Sequence, residues 1–382
     1  MNSQVIETYI DSLLERSTPE IPVWNIEKAL AGKKSGWDYI DGCMIMAILE
    51  IYQLTGNKKY LTFADSYIDF RINEDGSIDG YDINEWNLDE INGAKNLFTL
   101  YDLTGKEKYR KAIDTVYEQI KKQPRTKAGN FWHKAIYPNQ VWLDGLYMAL
   151  PFYMEYEVNF TNGKNRSDIY KQFFTVASIM KNQETGLYYH CYDETKSIFW
   201  ANPDTGLSKH YWLRALGWYS MALLDTLDKD DIGKENQDTN WTRLKHIFVD
   251  LMNSMITYQD KSGMWYQVPD CGNREKNYLE TSGTSIMAYC LFKAVRLGFL
   301  PQSYTTQANK AFMGVCNTYL TTENDTLHLG GICLMAGLGP ENNPKRDGTF
   351  EYYMGEPIVK DDAKGVGPFI LAYSEWKASQ EK

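Results

Sequence analysis

Two aspartates, Asp89 and Asp144, each stand at the polar start of a long apolar stretch. Asp144 is the only charge in VWLDGLYMALPF, residues 141–152. An unpaired buried carboxylate is costly. Such a residue is therefore either a helix cap, a role aspartate fills well, or a reagent. Trp142 and the apolar run that follows predict desolvation of Asp144, which raises a carboxyl pKa above its ordinary value of about 3.9. Asp89 holds the matching position in WNLDEING, and a second carboxylate nearby adds to that rise. A carboxyl kept partly protonated at neutral pH can serve as a general acid.

Cations and aromatic rings accompany the pair. FWHKAIYPNQ, residues 131–140, precedes the Asp144 stretch as a polar loop and offers His133 and Lys134. YYHCYDE places His190 among aromatics, as a hydrogen-bonded packing residue or as part of a site. Arg214 begins another apolar stretch and needs a partner for its charge. That partner is either Glu280 or a ligand carboxylate gripped by two parallel hydrogen bonds. Tyr39, Trp142, Trp212 and Trp218 read as core or as flat faces for sugars, and Asp38 stands beside Tyr39 as a further candidate contact. The five histidines (133, 190, 210, 246 and 328) show no metal-ligand spacing. There is no phosphate-cradling glycine motif and no GxSxG. No metal or cofactor is expected, and an aromatic, carboxylate-bearing pocket points to carbohydrate.

These residues need elements that bring them together. WDYIDGCMIMAILEIY, NLDEINGAKNLFTLY, VWLDGLYMALPFYMEY, YWLRALGWYSMALLDTL and YLETSGTSIMAYCLFKAV each begin polar and aromatic, meet a glycine and turn apolar. KGVGPFILAYSEW is a weaker sixth copy. The apolar halves lack strict alternation, which favours helix. After them come turns and amphipathic stretches such as KEKYRKAIDTVYEQIKK. A shorter repeat, T-G-x-x-K-Y, places glycine at 56 and again at 105. The unit is a helical hairpin of one buried and one half-exposed helix. Six can close into a ring, which removes the ends an open solenoid must cap. The predicted fold is an all-α (α/α)6 barrel forming one catalytic domain over residues 1–382. Inner helices that all point one way gather their N-terminal ends, and their partial positive charge, at one mouth. There the chain places aromatic-leucine-charge triplets: Trp142-Leu143-Asp144, Trp212-Leu213-Arg214 and Tyr278-Leu279-Glu280.

Composition narrows the partners. The 382 residues carry a net charge of −10 and include 28 Tyr and 11 Trp. The acidic balance argues against nucleic acid and anionic membranes. The six scattered cysteines fit free thiols in a reducing compartment. The N-terminal stretch lacks an apolar signal core, and a cytoplasmic protein, monomeric or weakly self-associating, is expected.

The same stretches match a known family. FWHKAIYPNQVWLDGLYMALPF, GLYYHCYDE, WANPDTGLSKHYWLRALGW, GMWYQVPD, LETSGTSIMAY and RDGTFEYYMGEPIVKDDAKGVGPFILA resemble the unsaturated rhamnogalacturonyl hydrolases, glycoside hydrolase family 105, relatives of the unsaturated glucuronyl hydrolases. The resemblance runs from about Trp37 to Trp376 and implies the same barrel. It implies substrates ending in a 4,5-unsaturated uronic acid, with Asp144 as general acid/base at the double bond and Asp89 positioning water or substrate. It also implies that Tyr39, His133, Lys134, His190, Trp212, Arg214 and Trp218 belong to the pocket, with Lys134 and Arg214 near the uronate carboxylate. Where many members read R-x-N-G-W, this chain has Leu216 in place of the amide, a substitution that reads as inner-helix packing. The expected activity is removal of the terminal unsaturated uronate from lyase-generated oligosaccharides, rhamnogalacturonan (pectin) fragments first. The alternatives are a glucuronyl hydrolase acting on glycosaminoglycan-type fragments, a sugar epimerase on the same barrel, and a sugar-binding barrel without catalysis.

Overall fold

The computed structural model describes residues 3–380. Six inner helices, Tyr39–Thr55, Leu88–Thr104, Leu143–Phe160, Leu213–Lys229, Thr281–Arg296 and Ala363–Gln380, pack each against the next. The last packs against the first, and the ring is closed. Apart from their C-terminal turns, these helices are buried on every side. From Leu213 to Leu227 no residue is exposed, as expected of helices without a polar face.

The outer helices are amphipathic. Glu107–Lys122 buries Tyr109, Ala112, Ile113, Val116, Tyr117 and Ile120, the spacing of one helical face. Lys58–Asp69, Arg166–Ile179, Thr239–Thr257 and Thr305–Tyr319 likewise cover their preceding inner helices. The sixth pair departs from the expected hairpin. Its outer member is the N-terminal helix Ser3–Glu15, tied to the Ala363 helix through Glu7, which meets Tyr373 Oη at 2.8 Å and Lys377 Nζ at 2.6 Å.

Local chemistry explains the repeats. In T-G-x-x-K-Y, Gly56 (φ 66°) and Gly105 (φ 67°) are the left-handed residues that end two inner helices. Thr55 and Thr104 donate their hydroxyls back to Ile51 and Leu100 carbonyls, while Tyr60 and Tyr109 are buried. The glycine inside each inner helix serves close approach. A Cβ on Gly42 would lie 2.9 Å from Gly93 Cα, so the first two inner helices meet backbone to backbone.

The predicted all-α barrel is the architecture found. Among the described residues three antiparallel strand pairs ornament it, and none forms a layer. Gln140–Trp142 pairs with Cys191–Asp193, stitching two connections at the mouth just ahead of the Leu143 helix. Among the described residues no helix is long and apolar enough to cross a membrane.

Candidate active site

A cavity of about 250 Å³ opens among the N-terminal ends of the inner helices. Tyr39, Asp89, His133, Lys134, Trp142, Asp144, Trp212, Arg214 and Trp218 line it together. Residues distant in sequence therefore converge there, as the repeat predicts. Glu27, Tyr137, Met148, Met335, Ala336 and Arg346 complete the wall.

Neither aspartate is a cap. Asn87 caps the Leu88 helix, its side chain accepting from Asp89 N at 3.1 Å. Trp142 stands at the cap position of the Leu143 helix and makes no capping bond. Asp89 and Asp144 are each the second helical residue, which leaves their carboxylates free to face the cavity. Arg214 holds the equivalent position of the Leu213 helix. The triplet with Glu280 is out of register: Glu280 is itself the cap of the Thr281 helix, accepting from Gly283 N at 2.7 Å.

Asp144 has a side chain 14% exposed, and its Oδ2 lies 3.2 Å from His190 Nε2. His190 is fully buried, and its Nδ1 shares a 2.8 Å hydrogen bond with the hydroxyl of Tyr353. Asp89 meets Lys134 Nζ at 2.6 Å and His133 Nε2 at 3.5 Å. Burial would push the Asp89 carboxyl up, but the Lys134 ammonium outweighs it and holds that carboxyl below the usual range. Asp89 thus has its own countercharge in Lys134. Lys134, in turn, is pushed up as the partner of Asp89. Burial brings His133 down to about 4, so its approach to Asp89 joins a neutral imidazole to a carboxylate rather than two ions.

Aromatic packing holds these groups in place. The His133 ring stacks on Trp142 at 4.7 Å and 14°. Gly145 makes room for it, since a Cβ there would lie 2.8 Å from His133 Nδ1. Trp142 also packs on Tyr137 at 4.8 Å and edge-on to His190 at 5.5 Å. Trp218 stacks on Tyr147 at 4.9 Å and 8°, and Trp212 donates to Gln267 Oε1 at 3.1 Å.

Arg214 is 1% exposed. Its Nε donates to Ser282 Oγ at 2.7 Å and its Nη2 to the Cys333 carbonyl, with Glu280 3.7 Å away. The protein thus supplies Arg214 with a carboxylate partner of its own. Leu216 is fully buried, in keeping with a packing role. Asp38 departs from expectation. It caps the Tyr39 helix, accepting from Ile40 N and Asp41 N at 3.1 and 3.2 Å, and does not line the cavity. Its position before a helix start satisfies two backbone donors, which suffices to fix it there.

Sequence reasoning did not single out Arg346, Tyr353, Tyr137 or Glu27. Tyr137 lies in the loop already marked for His133. Arg346 and Tyr353 lie in RDGTFEYYMGEP, which carries no helical periodicity to announce a site. Glu27 precedes the first copy, and its carboxylate is engaged by Lys364.

A model of Glycosyl Hydrolase Family 88 matches residues 9–379. The structure of a C. acetobutylicum ATCC 824 glycoside hydrolase from family 105 is 42% identical, with a TM-score of 0.89 over 98% of this chain and 99% of that one. Protein Atu3128 of Agrobacterium fabrum is 37% identical over 233 residues, 60% of this chain and 97% of its own. The unsaturated rhamnogalacturonyl hydrolase YesR of Bacillus subtilis is 25% identical over 295 residues, 73% of this chain and 75% of its own. The chain belongs to the glycosyl hydrolases of families 88 and 105 and is a glycoside hydrolase.

Proposed function

We propose that this glycoside hydrolase removes the terminal 4,5-unsaturated uronic acid from short oligosaccharides left by polysaccharide lyases, rhamnogalacturonan fragments first. The carrying observation is the convergence of Asp89 and Asp144, neither of them a cap, on one aromatic-walled cavity. A cavity of about 250 Å³ suits a terminal ring better than the middle of a chain. The relative named as an unsaturated rhamnogalacturonyl hydrolase supports the choice of substrate.

In such a substrate the ring oxygen and the C4=C5 bond form an enol ether, whose nucleophilic carbon is C4. Asp144 gives its proton to C4, and the cation that develops at C5 is shared with the ring oxygen. Water attacks C5 and returns a proton to the Asp144 carboxylate. The resulting C5 hemiketal opens, breaking the bond from C5 to the ring oxygen. The hemiacetal left at C1 then collapses to an aldehyde and releases the neighbouring sugar. Asp89, held ionised by Lys134, orients the water or a ring hydroxyl. Water does not attack the anomeric carbon, so carboxylate separation carries no stereochemical meaning here.

Turnover in D₂O tests the reading. Deuterium is expected at C4 of the uronate product, whereas label confined to exchangeable hydroxyls would mean ordinary glycosidic hydrolysis. A screen of lyase-made disaccharides, following loss of the double bond's ultraviolet absorbance, names the leaving sugar. Rhamnose should lead, and faster turnover of glycosaminoglycan-type fragments would move the enzyme to the glucuronyl class.

A further inference from the structure

Three cations line the cavity, and two already have carboxylate partners. Lys134 is bound to Asp89 at 2.6 Å, and Arg214 has Glu280 at 3.7 Å. Arg346 differs. Its Nε donates to the Gly337 carbonyl at 3.1 Å and to the Tyr352 hydroxyl at 3.3 Å. Among the described residues neither terminal nitrogen of its guanidinium has a hydrogen-bond partner, and no carboxylate comes within ion-pair distance of Arg346, Glu356 acting on it only at longer range. We propose that Arg346 is the receptor for the substrate's carboxylate, and so the residue that makes the enzyme select uronates over neutral sugars. This rests on the reading of the site given above.

The surroundings hold the guanidinium at this post. Tyr352 Oη also accepts from Gly337 N at 3.0 Å, so loop backbone, tyrosine and arginine form one clamp. Gly337 is where the loop passes between arginine and tryptophan: a Cβ there would lie 2.4 Å from Arg346 Nη2 and 3.0 Å from the Trp142 ring. Arg346 thus stands at the Trp142 end of the cavity, with its fork pre-aimed by Nε. A planar fork with both outer donors open matches a carboxylate with two parallel hydrogen bonds. An unpaired cation inside a protein of net charge −10 also gives an anionic ligand a local reason to enter.

The test compares a lyase-made disaccharide as the free acid and as its methyl ester, with wild type, Arg346→Met and Arg346→Lys. Wild type should prefer the acid by about 10²-fold in kcat/KM, carried mostly by KM. Arg346→Met should lose that preference, its kcat/KM on the acid falling to the level of its kcat/KM on the ester, and Arg346→Lys should recover part of it. An acid preference retained by a folded Arg346→Met, or an equal loss on both substrates, overturns the assignment. If wild type turns over neither compound, the reaction assigned above is wrong, and calorimetry with galacturonate and galactose decides the question of Arg346. Tighter binding of galacturonate, lost in Arg346→Met, sustains the assignment; equal binding of both sugars overturns it.

Discussion

His190 Nε2 lies 3.2 Å from Asp144 Oδ2, and the far side of the same imidazole is bound by Tyr353 at 2.8 Å. Burial keeps the Tyr353 hydroxyl protonated, well above the ordinary tyrosine range. With that hydroxyl as donor to Nδ1, the imidazole proton sits on Nε2, the nitrogen nearer Asp144, although neither Nε2 nor Asp144 Oδ2 makes a hydrogen bond as they stand. Tyr353 therefore sets what Asp144 meets. Asp144→Asn is expected to lose about 10²–10⁴-fold or more in kcat with an unchanged melting temperature. Tyr353→Phe should lose roughly tenfold in kcat with little change in KM. Steady-state kinetics at constant pH check both. Turnover of Asp144→Asn near the wild-type rate would remove it as the proton donor.

Asp89 and Lys134 give a pH prediction of definite sign. Burial pushes the Asp89 carboxyl up, and the Lys134 charge, 2.6 Å away, more than reverses this. In Lys134→Met the burial is opposed only by His133, so the carboxyl takes up its proton at higher pH. The acid limb of the kcat/KM profile should move to higher pH. Lys134→Arg should keep the wild-type limb. An unmoved limb in a folded Lys134→Met would mean that Asp89 does not control it.

Much of this site was legible before the fold, and the misses have a common cause. Asp144 and Arg214 announced themselves as charges inside apolar runs, because a charge at the start of a buried helix needs either a structural partner or a ligand. Asp38 has the same residue type and the same place before an inner helix, yet it is spent on capping. Two positions along the chain separate a cap from a cavity-facing residue, and composition cannot resolve that. Arg346, Tyr353 and Glu27 belong to segments that follow no period. Their place depends on how a long connection folds over the mouth, as the Gly337 contact with Trp142 illustrates. The sixth hairpin failed for a related reason: pairing Ser3–Glu15 with Ala363–Gln380 is a contact across the whole chain, invisible to local pattern.

His133 makes acid stability part of the site. Burial lowers it from 6.5 to about 4 in the folded protein, while the unfolded chain keeps the ordinary value. Between these limits the unfolded state binds the extra proton, so stability is lost as pH falls from 6.5 to 4. His133→Gln should flatten this segment of the curve, measured as the difference from wild type in denaturant unfolding at each pH. Parallel curves would show that His133 is protonated in the fold.

Lys95 predicts the opposite end of the pH scale. It lies within the Leu88 helix, its Nζ 3.3 Å from the centre of the Tyr147 ring and donating to the Tyr147 carbonyl at 3.0 Å. No carboxylate pairs with it among the described residues. Burial drives it from 10.5 down to about 7. Across that interval the unfolded chain holds a proton the folded one has released, so its contribution to stability rises from pH 7 toward 10.5 and is flat below. Lys95→Met removes the penalty at nearly constant volume, though it also removes a hydrogen bond and a cation–ring contact. The variant should therefore be the more stable at pH 7, by up to a few kcal/mol, roughly the linkage energy less those two interactions. Its advantage should shrink steadily toward pH 10. If the two proteins keep a constant difference over that range, Lys95 is charged inside the ring, and the ring face of Tyr147 and its carbonyl are enough to hold the charge there.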